Sequence, residues 1–328
     1  MVSAIGDDGG GDDGGGGGDD GGGDGDGGGG VTAAPSNDPA VPSPEGDRRS
    51  KMGKRTKKAR MLRWLKVALF GVVALMTAFG VGTLIRAPVS WPFDRVFNLG
   101  AAVLAPEWAA PDDGKVRVVF VQHGLWRTST SMDRLARSLA ANGYEVINEG
   151  YPSTEDRIEG HARRLRDVVE ARYAKGPVDE ISFVGHSMGG LVIQEYLRRD
   201  DAREPAACCY LATPHRGAIL ADKRRHWFLF QMVMGEQSAR QLATTDPFHR
   251  QAIPFGERTA TLVARREGHG NRSIPGPDDG TVGCREATFA GAAVSREFVG
   301  LNHTRITIAP DAIRSVLRFL RTGALSAD

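Results

Sequence analysis

The run EISFVGHSMGGLVIQEYLRR, Glu180 to Arg199, constrains the fold more than any other stretch of the chain. EISFV has the composition of a buried strand and LVIQEYLRR that of a helix, so the backbone must reverse within GHSMGG. So tight a bend leaves little room for side chains, and glycine lets neighbouring backbone approach without a Cβ clash. Gly185-His186-Ser187-Met188-Gly189 has the form G-x-S-x-G, and a strand before with a helix after is the setting in which that form makes a nucleophile elbow. The serine of such a turn sits in a strained backbone conformation, and its hydroxyl projects at the carboxyl end of the sheet, where open α/β folds place ligands. The helix that follows offers unpaired N–H groups and a positive dipole end, suited to an oxyanion. A phosphate-binding P-loop needs Lys-Ser/Thr after the glycines and a dinucleotide site needs G-x-G-x-x-G; the sequence has neither here.

The rest of residues 115–323 alternates in the same way. VRVVFVQHG (Val116 to Gly124), YEVINEGYP (Tyr144 to Pro152), AACCYLATP (Ala206 to Pro214), TATLVARRE (Thr259 to Glu267) and a stretch near Ala292 to Val299 read as further strands. Between them, Met132, Leu135 and Leu139 recur at helical spacing, with Ser131 as the candidate N-cap and Gly143 as the stop. Ile158, Ala162, Leu165, Val169 and Tyr173 share a second helical face, introduced by the cap candidates Ser153 and Thr154. Gly189 to Arg199 and Asp311 to Arg321 complete the helices. Strands alternating with helices imply a mostly parallel sheet with helices on both faces.

A serine hydroxyl is a poor nucleophile unless a base and an orienting acid serve it. On a strand-to-helix elbow the expected chain order is Ser, then Asp or Glu, then His. Of the eight histidines, His123, His161 and His186 precede Ser187. The acid is expected in the loop after the Thr259 to Glu267 strand, where SIPGPDDGTV supplies Asp278 and Asp279. His303, in LNHTRI, is the only histidine beyond them. The expected triad is therefore Ser187, His303 and Asp279, the last preferred over Asp278 because it abuts Gly280 at the turn, with Asp222 as a third candidate. The oxyanion donors are expected from the N–H of Met188 and, in the loop after the first strand, that of Leu125. No cofactor or metal is called for.

HGLWRTSTSM, YPST, GHSMGGLV, LATPHRGA, PGPDDGTV and NHTRI together resemble the lipase/esterase branch of the α/β-hydrolase superfamily, over about residues 116–321. The resemblance implies the α/β-hydrolase fold and hydrolysis of carboxylic, in particular acyl lipid, esters through an acyl-enzyme, with Ser187, Asp279 and His303 on the triad positions and Leu125 and Met188 on the oxyanion positions. The histidine in TPHRG, His215, departs from some relatives. A short cap is expected at about 216–255; its WFLFQMVM, with Trp227 and Phe228, and the loop residue Trp126 are the candidates for lining an acyl pocket, the other reading of WFLFQMVM being ordinary packing onto the core. Two rival readings keep the same fold: acyl transfer to an acceptor other than water, and a catalytically silent domain that binds a lipid or a protein.

Ahead of this domain the composition changes sharply. Residues 1–30 hold 17 of the 43 glycines and eight aspartates, too little apolar surface to offset the entropy of ordering, so residues 1–47 read as a disordered tail. Calcium-binding Gly/Asp nonapeptides would need a large apolar residue in each repeat, which this tail lacks. Met52 and Met61 are alternative candidates for the start. Ten Lys/Arg residues fall in the basic stretch 48–66, followed by VALFGVVALMTAFGVGTLI, nineteen uncharged residues from Val67 to Ile85. At about 1.5 Å per residue that run nearly matches the roughly 30 Å of a bilayer's hydrocarbon core. Residues 67–86 are therefore expected to be a transmembrane helix or signal anchor, and the basic flank orients the rest of the chain to the extracytoplasmic side. Cleavage as a signal peptide would make the domain secreted. Residues 87–114, rich in Pro and Ala, read as a linker. The domain itself is close to neutral, which argues against a nucleic-acid surface. Cys208 and Cys209, adjacent on one strand, should face opposite sides as small buried residues; a bridge from either to Cys284 stays open.

Overall fold

Valine- and isoleucine-rich segments with apolar residues on both sides of the pleat can only be stable when both faces are covered, and the chain meets that need with a parallel sheet. The computed structural model describes residues 94, 102–104, 113–224, 236–268 and 270–325. In chain order the strands are β1 (Arg117–Gln122), β2 (Glu145–Ile147), β3 (Glu180–His186), β4 (Ala207–Leu211), β5 (Thr259–Arg265) and β6 (Val294–Val299). The helices are α1 (Asp133–Ala141), α2 (Ile158–Tyr173), α3 (Met188–Leu197), α4 (Ile219–Arg224), α5 (Glu236–Gln241) and α6 (Pro310–Thr322). The six strands lie in the order β2-β1-β3-β4-β5-β6, and every neighbouring pair is parallel.

Strand alternation divides the core in two. Val119, Val121, Val184, Cys209, Leu211 and Leu262 point to one face, where they pack with Leu135 and Leu139 of α1 and Ile313, Val316 and Leu317 of α6. Val118, Phe120, Ile181, Phe183, Cys208 and Tyr210 point to the other, against Ile158, Leu165 and Val169 of α2 and Leu191, Val192 and Tyr196 of α3. Each large apolar side chain so buried contributes roughly 1.5–3 kcal/mol relative to exposure. Cys208 and Cys209 do face opposite sides, and all three cysteines are free.

Topology fixes where a ligand would sit. From β1 the chain goes to β2 on one side and to β3 on the other, so the carboxyl ends of β1 and β3 flank a topological switch point, the place where open α/β sheets bind their ligands. Gly124 follows β1 and Ser187 follows β3 at that point.

The expected helix starts need correction. Ser131 is not an N-cap: it lies inside a 3₁₀ turn, Ser129–Met132, with its Oγ donating to Thr128 O at 2.7 Å, and α1 begins after Met132. Ser153 and Thr154 lie too far upstream of α2, which starts at Ile158. The Ile158 N–H donates instead to Oε1 of Gln241 at 2.7 Å, and the Gln241 amide group reaches Glu159 at 2.9 Å, so a side chain from α5 caps α2. Within the segment expected as a cap, Leu242 and Phe248 are buried in the α2/α3 side of the core. The stretch expected as a linker also makes contacts: Asp94 is fully buried, the Leu104 N–H donates to Ser138 Oγ at 3.1 Å, and Arg134 Nε donates to Ala102 O at 2.7 Å. The tail, the basic stretch and the apolar run Val67 to Ile85 lie outside the described residues. Among the described residues no helix is long and apolar enough to cross a membrane.

Candidate active site

Ser187 holds φ 54° and ψ −128°, a conformation that costs a non-glycine residue on the order of 1–3 kcal/mol and persists only when its surroundings fix it. Those surroundings are backbone. The Ser187 N–H donates to Leu211 O of β4 at 2.9 Å, and the Gly190 N–H donates to Ser187 O at 3.0 Å. A Cβ on Gly185 would lie 2.6 Å from the main chain of Gly190, and one on Gly189 would lie 2.4 Å from Gln122 O. The two glycines of the motif thus let α3 start hard against β3 and the end of β1, which holds the serine up at the switch point.

His303 comes to Ser187 from the turn after β6. Its Nε2 is 2.9 Å from Ser187 Oγ, and its Nδ1 is 2.6 Å from Asp279 Oδ2. Asp279 lies in the loop after β5, its side chain 1% exposed against 14% for His303, so their hydrogen bond is shielded from water. The other carboxylate oxygen, Oδ1, accepts N–H bonds from Thr281 at 2.8 Å and Val282 at 2.7 Å. Main chain joins the two residues as well, the His303 N–H donating to Asp279 O at 3.0 Å. A carboxylate can only accept, so the imidazole proton sits on Nδ1 and leaves Nε2 to accept from the Ser187 hydroxyl. The three groups that the sequence brings into register form a chain of hydrogen bonds, with His303 between Ser187 and Asp279.

The competing carboxylates have other work. Asp278 Oδ1 accepts from the N–H of Asn271 at 2.9 Å and of Gly280 at 2.7 Å, which shapes the loop that presents Asp279. Asp222 accepts from Thr244 N–H and Oγ1, away from the site.

Two more histidines frame the site and act as fixed hydrogen-bonding parts. His186 Nε2–H donates to His303 O at 2.7 Å; burial, and next the neighbouring His303, push its pKa well below 6.5, so it stays neutral. His123 donates from Nδ1 to Gly124 O at 2.9 Å and accepts at Nε2 from the Tyr151 N–H at 3.2 Å. Burial lowers its pKa to about 4. His215, the departure noted in TPHRG, is buried in the core with its Nδ1 2.7 Å from Gln194 Nε2 and takes no place in the site.

The loop after β1 comes close enough to serve an oxyanion. A Cβ on Gly124 would lie 3.0 Å from Cβ of Ser187, so the HG loop lies directly against the serine. The Leu125 N–H has no acceptor among the described residues, and Met188 opens α3, where an N–H has no carbonyl a turn earlier to bond. Trp126, half-buried with φ 58°, follows in the loop, its N–H donating to Ser153 Oγ at 3.0 Å. Trp227 and Phe228, the other pocket candidates, lie outside the described residues. Sequence reasoning missed Asp94, whose carboxylate holds Arg127 and Thr128 of this loop, and Thr304, which Arg127 also reaches. The one signal was an isolated acid in the largely apolar stretch SWPFDRVF. Among the described residues no group of acidic, histidine or cysteine side chains is placed to hold a metal.

Comparison with solved structures finds several that resemble this chain. Bacillus licheniformis lipase BlEst2 in its mature form aligns over 67% of this chain and 93% of its own, at 21% identity and a TM-score of 0.44. Its propeptide form aligns over 69% and 54%, at 21% identity and 0.50. Phospholipase PlaB from Legionella pneumophila aligns over 64% and 60%, at 15% identity and 0.51. At these identities the likeness is one of fold. No curated protein sequence matches the chain. The family comparison is direct: residues 118–320, spanning β1 to α6 and every residue of the Ser187, Asp279 and His303 constellation, match the model of the alpha/beta hydrolase family. The chain belongs to the alpha/beta hydrolase family.

Proposed function

We propose that this chain is a serine hydrolase that cleaves carboxylic esters, acyl lipids in particular, through an acyl-enzyme. The observation that carries the reading is the continuous relay from Ser187 Oγ through the His303 ring to Asp279, at 2.9 and 2.6 Å. His303 Nε2 takes the hydroxyl proton as Ser187 Oγ attacks the ester carbonyl, and the tetrahedral oxyanion is received by the N–H groups of Leu125 and Met188. One such donor is worth about 3 kcal/mol of transition-state stabilisation. The imidazolium then gives its proton to the departing alcohol. Water, deprotonated by His303 in turn, attacks the acyl-serine, and the imidazolium returns the proton to Ser187 Oγ as the acid leaves. Asp279 holds the Nδ1–H tautomer and stabilises the imidazolium.

The preference for acyl lipids rests on placement. An apolar run of nineteen residues behind a basic flank would keep the domain at a bilayer surface on the extracytoplasmic side, or would release it there if cleaved. Trp126, Trp227 and Phe228 would line the acyl pocket. Turnover of p-nitrophenyl esters of graded chain length by the detergent-solubilised full chain, compared with Ser187→Ala, tests the reading. Loss of turnover in Ser187→Ala is expected, and equal activity in both would remove Ser187 from the mechanism.

A further inference from the structure

We infer that Asp94 is a positioning residue for ester hydrolysis: from a segment ahead of the hydrolase domain it holds the oxyanion loop and, through Arg127, the turn bearing His303. This rests on the function proposed above.

Burying a carboxylate is costly unless both oxygens find donors. Asp94 is 0% exposed, and both are met. Oδ1 accepts from Arg127 Nη1 at 2.8 Å; Oδ2 accepts from the Thr128 N–H at 2.9 Å and from Thr128 Oγ1 at 2.8 Å. All three donors belong to the loop that leaves β1 with Leu125 on it. The Arg127 N–H closes that loop onto Gly124 O at 3.3 Å, and Gly124 is the residue that lies against Ser187. The second arm of the guanidinium, Nη2, donates to Thr304 Oγ1 at 3.1 Å, one residue past His303. The two arms of one guanidinium therefore tie three separate stretches together, and two of them carry reacting parts.

Asp94 touches no reacting atom, so its effect must pass through geometry. An oxyanion forms only on the way to products, and a displaced N–H donor lowers kcat while leaving ground-state binding alone. A displacement of about 1 Å in such a part costs up to roughly a hundredfold in rate.

The test uses the full chain with Asp94→Asn, Arg127→Met and both together. In Asp94→Asn one oxygen remains for Thr128 while the amide N–H₂ faces Arg127, which ends the ion pair at nearly constant volume. Rates are expressed per site titrated with a fluorophosphonate, so that only folded molecules are counted. Each single variant is expected to lose at least about fivefold in kcat with KM held within about twofold, and the double variant to lose no more than the worse single. A trifluoromethyl ketone, whose adduct places an oxyanion where the ester's would be, should bind more weakly by the factor lost in kcat/KM. A smaller fall in kcat per site, a change in KM alone, or fully multiplicative losses in the double variant would overturn the inference. Ser187→Ala separates the two levels: if it stays active the proposed function fails, and if it is dead while Asp94→Asn is fully active only the positioning role fails.

Discussion

Replacing Asp279 by asparagine changes one atom of the constellation and leaves its volume intact. Oδ1 of Asp279 accepts two main-chain N–H bonds, from Thr281 and Val282. An asparagine must keep its amide oxygen there, because turning the amide around would set N–H₂ against two N–H groups and strand each at a cost of about 1–3 kcal/mol. The amide nitrogen then occupies the Oδ2 position, 2.6 Å from His303 Nδ1, and can only donate. The imidazole answers by moving its proton to Nε2, which now points a hydrogen at Ser187 Oγ and cannot take the hydroxyl proton. A tautomer error of this kind in an orienting aspartate costs roughly 10⁴-fold in kcat, or about 5.5 kcal/mol. The assay is steady-state ester hydrolysis at neutral pH beside near-UV circular dichroism, since the loop bonds are retained and the fold should be unchanged. A loss below about tenfold in a natively folded variant would refute the reasoning.

Two further outcomes follow from the packing of the site. Gly189→Ala would drive a Cβ to within 2.4 Å of Gln122 O and 2.5 Å of His123 O, both main chain at the end of β1, so neither can swing aside. Overpacking of this sort costs at least about 1–3 kcal/mol, read as a thermal midpoint several degrees lower; an unchanged midpoint would contradict the close approach. Stability should also fall in acid because buried histidines resist protonation, His123 among them, its folded pKa lowered by burial to about 4 from 6.5. Between those values the unfolded chain binds the extra proton, so the stabilising contribution is full above pH 6.5 and is lost as pH falls towards 4, on the order of 3 kcal/mol. Thermal midpoints at pH 7 and pH 4.5 check the sign, and a flat profile would exclude a neutral buried His123.

What the sequence revealed was local or ordered along the chain. The elbow is legible because a strand, two glycines, a serine and a helix must all act within twenty residues, and His303 and Asp279 because chain order left few alternatives. The parallel sheet was legible in its runs of β-branched residues. Contacts between distant segments were not. The capping of α2 by Gln241 joins residues 83 positions apart, and a search for local Ser or Thr caps settled on the wrong residues. Asp94 reads as one acid in a linker until the fold places it on Arg127 and Thr128, and the reach of Arg127 to Thr304 spans 177 positions. Hydrogen bonds of this kind depend on where three-dimensional packing brings a chain, and periodicity carries no record of it.

Covalent labelling tests the central chemical claim most directly. The full chain is treated with a fluorophosphonate, ester hydrolysis is followed as inactivation proceeds, and the modified peptide is located by mass spectrometry. A single adduct on Ser187, rising in step with the loss of activity and absent in Asp279→Asn over the same interval, is the predicted result. Hydrolysis that persists after Ser187 is fully modified, or inactivation with the adduct on another residue, would contradict it.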